Sequence, residues 1–144
     1  METILVLDDD QANLQGIAGV LRFEQYSVLE ASTSVQALKV ASDCGLSLFI
    51  SDMELSQSSG TETALRLVGF CPNLRVLFIS GTPKMWWNSR DVANFKRFLP
   101  NSVDFIEKPF SLSQLVSRVK DMIGRTGTLT PKAPVLDGRS SNAA

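Results

Sequence analysis

Five short apolar runs, each closing on a polar residue and each followed by a stretch of helical periodicity, constrain this chain most. The runs are residues 3–7, 26–31, 46–50, 74–80 and 103–107. Apolar residues at consecutive rather than alternating positions mark a strand covered on both faces. Between the runs, Leu14, Ile17, Ala18 and Leu21 recur at helical spacing over 11–23, and Val35, Leu38 and Ala41 over 35–42. The same pattern places Ala64, Leu65 and Val68 inward over 61–70, and Val92, Phe95 and Phe98 or Leu99 over 91–99. A last helix over 112–123 presents Leu115, Val116, Val119 and Ile123. Strands alternating with helices of this length make an α/β fold, a five-stranded parallel sheet with helices on both faces. Right-handed crossovers join the strands.

Local punctuation agrees with this division. Ser32 or Ser34 opens the second helix, and Asp43-Cys44-Gly45 ends it in a Gly-type cap. Ser111 and Gln114 form a capping-box start to the last helix, and Gly124 ends it. Residues 125–144 are Gly, Pro, Ser and Thr with little to bury, so one domain over 1–124 is followed by a disordered tail.

Bulk properties exclude several functions. The net charge of −1 provides no basic field for nucleic acid or anionic membrane. Without histidine there is no Ser-His-Asp or Cys-His site and no histidine-ligated metal. No apolar run approaches the roughly 18 residues that insertion in a membrane requires. No basic region precedes the first apolar run, so it is not a signal peptide, and a cytoplasmic location is expected. Cys44 and Cys71 read as reduced, buried, structural thiols.

In a parallel sheet the carboxyl ends of the strands share one edge, where open α/β sheets bind their ligands. That edge receives Asp8 and Asp9 from the first strand, Asp52 from the third, Ser80 from the fourth and Lys108 from the fifth. Three successive acids, Asp8-Asp9-Asp10, repel one another unless solvent or a cation neutralises them. Helix capping accounts for Asp10 but not for Asp8 and Asp9. Asp52 taken alone serves equally well as a turn or helix cap. Together, the carboxylates suit Mg²⁺, which takes oxygen ligands and keeps several waters. Asp52 is placed to act as a nucleophile forming an acyl phosphate, with Lys108 and Ser80 holding the phosphoryl oxygens.

This set resembles the receiver domain of two-component response regulators. Asp8-Asp9 matches the family's acidic pair, Asp52 its phosphoacceptor, Ser80 its Ser/Thr and Lys108-Pro109-Phe110 its Lys-Pro motif. Gly60, eight residues after Asp52, matches the glycine of the loop after the third strand. The resemblance covers about residues 2–124 and extends to receivers associated with hybrid sensor kinases. It implies a doubly wound, flavodoxin-like (βα)5 fold with strand order 2-1-3-4-5 and a cis Lys108-Pro109 bond. It implies Mg²⁺ bound by Asp9, Asp52 and the backbone carbonyl of Glu54, with Asp8 in support. Ser80 and Phe105 would form the switch that couples phosphorylation to the face of the fourth helix, fifth strand and fifth helix. The implied partners are a sensor histidine kinase or phosphotransfer protein, a downstream protein, and a second copy through that face. Catalysis would be limited to the chain's own phosphorylation and dephosphorylation.

Three departures accompany the match. Leu55-Ser56 replaces the family's usual Met-Pro, which loosens that loop; Phe105 lacks the common tyrosine hydroxyl; and residues 80–108 run longer than in compact receivers. Two other readings remain. Asp8-Asp9-Asp10 satisfies the D-x-D opening of haloacid-dehalogenase-type phosphatases, although Ala12 and the lack of an acidic pair after Lys108 depart from that pattern. The chain also suits a receiver-like interaction module that works without phosphorylation. Trp86-Trp87 reads as packing for the extended segment in preference to a partner patch, and Lys96-Arg97 as a solvated helix face.

Overall fold

The computed structural model describes residues 1–41 and 45–124. The five expected strands form one parallel sheet in the order β2-β1-β3-β4-β5. They are β1 Thr3–Leu7, β2 Ser27–Ala31, β3 Leu48–Asp52, β4 Arg75–Ser80 and β5 Val103–Glu107. The helices are α1 Gln11–Phe23, α2 Ser34–Val40, α3 Gly60–Phe70, α4 Ser89–Phe95 and α5 Leu112–Ile123. Short 3-10 turns cover Lys84–Trp86 and Pro100–Ser102.

Because side chains alternate across a strand, each run supplies two cores. Ile4 and Val6 of β1, Leu48 and Ile50 of β3, and Leu77 and Ile79 of β4 pack on one face. Leu14, Ile17, Ala18 and Leu21 of α1 and Leu115, Val119 and Met122 of α5 cover that face. On the opposite face Leu5, Leu7, Phe49, Val76 and Phe78 meet Ala37 of α2, Ala64 and Leu67 of α3, Trp87 and Phe98. Two apolar cores explain why the central strands carry consecutive apolar residues, such as Ile4–Leu7 and Val76–Ile79.

The helix starts follow local hydrogen bonding. Asp10 caps α1 by accepting from Asn13 N–H, Thr33 caps α2, and Asn88 caps α4. Ser111 and Gln114 form the expected capping box. Thr33 rather than Ser32 or Ser34 takes the cap of α2, and Val35, expected inward, is 63% exposed while Ala37 is buried. The fourth helix ends at Phe95, and Phe98 reaches the core from beyond it.

The tryptophan pair divides: Trp87 is buried, as packing requires, whereas Trp86 is 73% exposed. Lys96 and Arg97 lie on the surface as expected. Cys71 is buried but disulfide-bonded, which overturns its reading as a reduced thiol. Cys44, the Asp43-Cys44 part of the expected second cap, and the expected tail over 125–144 lie outside the described residues. Among the described residues, no helix is long and apolar enough to cross a membrane.

Candidate functional site

The sheet register sets the site. Asp52 is the last residue of β3 and stands beside Ile79; Ser80 ends β4 beside Glu107; Lys108 follows directly. Asp8 follows β1, its backbone N–H bonded to the Ala31 carbonyl at 3.1 Å. All four strand-end groups therefore meet at one edge, as the sequence implies. A cleft of about 370 Å³ opens there, lined by Asp8, Ala12, Ile79, Lys108 and Phe110.

Asp52 is 4% exposed, and both its oxygens are engaged. Oδ2 accepts from Lys108 Nζ at 3.0 Å, and Oδ1 accepts from Glu54 N–H at 2.9 Å. Burying a carboxylate without such partners would be costly. Partial burial works against the Lys108 ammonium. The Asp52 hydrogen bond and the charges of Asp52, Asp8 and Glu54 outweigh it and hold the lysine pKa above its usual value. The Lys108-Pro109 bond is cis, as the resemblance implies.

Asp8 is 2% exposed, and burial pushes its pKa from 3.8 up to about 6. The Asp10 N–H, 2.9 Å from Asp8 Oδ1, pulls the other way, while the Asp52 charge adds to the rise. Asp9 lies on the surface, and its Oδ2 accepts from Ser56 N–H at 2.8 Å, which lowers its pKa. Serine at 56 keeps an N–H that proline would lack, and it ties the loop to Asp9.

Gly60 begins α3 against the end of β3. A Cβ there would stand 2.5 Å from the Asp52 carbonyl oxygen and 2.8 Å from Ser51 Oγ. Only glycine permits the approach. Asp91 then bridges α3 to α4, accepting from Thr61 Oγ1 at 2.7 Å, while Asn94 donates to Thr61 at 3.1 Å.

Two side chains at the site escaped sequence reasoning. The Glu54 side chain, named only for its backbone, folds over the site: Oε1 accepts from Gly81 N–H at 2.9 Å and Oε2 from Ser80 Oγ at 3.2 Å. Trp87 Nε1–H donates to Ser80 Oγ at 3.2 Å. Neither follows from strand and helix patterns, because both arise where loops fold back. Phe105 lies half-buried between Trp87 and Phe95, with ring centroids 5.1 and 6.1 Å away.

The donor set is all oxygen, two of its carboxylates are buried, and one of these is destabilised in its charged form. This suits a divalent cation that needs one or two protein carboxylates and fills its shell with water. Among the described residues, no three acidic side chains are gathered closely enough to hold a metal by themselves.

A parallel five-stranded sheet with this acid, hydroxyl and lysine edge defines the signal-receiver class of α/β domains. Residues 4–120 match the model of the response regulator receiver domain, and the chain belongs to that family. It is 30% identical to the sensor kinase CckA of Brucella abortus over 84% of this chain and 12% of the kinase. It is 32% identical to the phosphate regulon transcriptional regulatory protein PhoB of Pseudomonas aeruginosa over 93% of this chain and 57% of that protein. The chain thus spans only part of these curated relatives. The solved receiver domain of the hybrid histidine kinase CckA superposes with a TM-score of 0.68 at 28% identity, covering 84% of this chain and 98% of that one. This membership sets aside the phosphatase reading of Asp8-Asp9-Asp10. Accordingly, Asp10 turns away from the cleft to cap α1.

Proposed function

We propose that Asp52 accepts a phosphoryl group from a phosphohistidine of a sensor kinase or phosphotransfer protein. The 3.0 Å pair between Lys108 and the buried Asp52, with Asp8 and Ser80 on the same edge, carries this reading. An Asp52 carboxylate oxygen forms the new O–P bond as the donor's N–P bond breaks, and the imidazole leaves with that electron pair. Lys108 then moves from Asp52 to a phosphoryl oxygen, and the Ser80 hydroxyl donates to another. Asp9, Asp52 and the Glu54 backbone carbonyl would hold Mg²⁺, with Asp8 in support. Bound there, the cation would supply positive charge to offset that of the transferred group.

The chain assists its own phosphorylation and dephosphorylation and signals in the cytoplasm through protein contacts. A shifted population at Ser80 and Phe105 alters the face of α4, β5 and α5, where a downstream protein or a second copy docks. Glu54, seated on Ser80 and Gly81, favours a second reading: a receiver-like interaction module that works without phosphorylation.

Intact mass after incubation with acetyl phosphate and Mg²⁺ separates the two. The first reading expects a Mg²⁺-dependent gain of one phosphoryl group that Asp52→Asn abolishes. No gain in the wild type, with acetyl phosphate or with a kinase donor, supports the second. A gain that survives in Asp52→Asn refutes the acceptor assignment.

A further inference from the structure

A serine hydroxyl has one proton to donate and two lone pairs to fill, and the resting Ser80 uses all of them. It accepts from Thr82 N–H at 3.0 Å and from the Trp87 indole Nε1–H at 3.2 Å. Its own proton is shared between the Thr82 carbonyl at 2.7 Å and Glu54 Oε2 at 3.2 Å. Ser80 is fully buried and Trp87 nearly so. The hydroxyl therefore cannot turn toward Asp52 without giving up partners, the indole among them.

Trp87 is also one wall of a ring cluster. Its centroid lies 5.1 Å from Phe105 and 5.3 Å from Phe95, both edge-on. Phe95 and Phe105 are 6.1 Å apart at 81°. The Lys84 ammonium caps this box, 4.5 Å from the Phe95 centroid, 5.9 Å from Phe105 and 6.0 Å from Trp87. One side chain thus bonds the site hydroxyl through its N–H and packs on the switch face through its rings.

We propose that Trp87 is a positioning residue for the Ser80 hydroxyl and links occupancy of Asp52 to the Phe105 face. The inference rests on Asp52 being the phosphoacceptor. When Ser80 turns to a phosphoryl oxygen, the indole loses that acceptor but keeps the Thr82 carbonyl, 3.1 Å away. Its N–H is not orphaned, so exchange between the two arrangements is reversible. Close-packed rings do not move singly. A shift of Trp87 therefore displaces Phe95 and Phe105 and changes their distances to the exposed Lys84 ammonium.

The test uses the full chain, ¹⁵N-labelled, with Trp86→Phe. That substitution is at an exposed site and leaves Trp87 as the sole indole. The indole resonance and the intact mass are read from one sample in excess acetyl phosphate and Mg²⁺. The expected result is a phosphoryl gain with the Trp87 resonance displaced by more than its linewidth. A phosphoryl gain with the resonance unmoved overturns the link and leaves the acceptor assignment standing; no gain overturns both. Trp87→Phe keeps a ring but lacks the donor. Without phosphate it should raise amide exchange over 84–95 severalfold, to the level of the phosphorylated wild type. Unchanged exchange in a folded Trp87→Phe also overturns the link, and if that variant does not fold, the indole resonance decides alone.

Discussion

Replacing Asp8 by Asn in metal-free protein should stabilise the fold, and more at neutral than at acid pH. Burial raises the Asp8 pKa from 3.8 to about 6. The folded state thus holds a proton that the unfolded chain has released, and stability falls as pH rises across that interval. Stability is fully present below 3.8 and lost once the pH has risen through about 6. At 1.36 kcal/mol per unit, the full cost is about 3 kcal/mol above both values and about 1 kcal/mol near pH 4.5. Asn carries no charge and keeps an oxygen for the Asp10 N–H, so Asp8→Asn recovers these amounts. About 4 °C per kcal/mol for a domain of this size gives a rise in Tm on the order of 10 °C near pH 7.5 and under half that near pH 4.5. Asp9 acts in the opposite sense. Its lowered pKa contributes stability that is lost only as pH falls further, so it does not mask the effect. Thermal melts of both proteins in a chelator at the two pH values provide the test. A gap between wild type and variant that is equal at both pH values, or reversed, refutes the reasoning.

Other outcomes follow from the same geometry. Glu54→Gln weakens the hold on Ser80 Oγ and Gly81 N–H; losing about 1.5 kcal/mol of charge-assisted bonding from the resting state should speed labelling by acetyl phosphate roughly tenfold. An unchanged rate would show that Glu54 does not compete for those donors. Gly60→Ala drives a Cβ against the Asp52 carbonyl and should cost about 1–3 kcal/mol in a urea titration. Full stability in that variant would mean that the start of α3 is free to move.

The fold was legible because the two periodicities in the sequence are unmixed. Residues 4–7 and 76–79 are unbroken apolar runs, and α1 buries the four residues its spacing selects. Asp8, Asp52, Ser80 and Lys108 were legible for the same reason, since the end of a strand is a position in sequence as well as in space. Glu54 and Trp87 were not: each side chain acts across a loop whose path depends on tertiary packing. The division of Trp86 from Trp87 had the same cause. A 3-10 turn ends between them, and no hydropathy pattern tells adjacent tryptophans apart. The Cys71 disulfide was missed because two cysteines in a chain read as cytosolic point to thiols.

The register of β5 acts as a ruler for the site. Asp52 ends β3 and Lys108 directly follows β5, and β4 separates those strands, two interstrand spacings or about 10 Å of backbone. A long cationic side chain is needed to bring an ammonium within 3.0 Å of the carboxylate across that gap. A slip of β5 by one residue would turn Glu107 toward the position Lys108 now holds, placing a negative charge beside Asp8 and Asp52. The Ser80–Glu107 pairing therefore fixes the sign of the cleft as well as its shape. Insertions in the long segment between β4 and β5 are tolerated only insofar as they leave that pairing in phase.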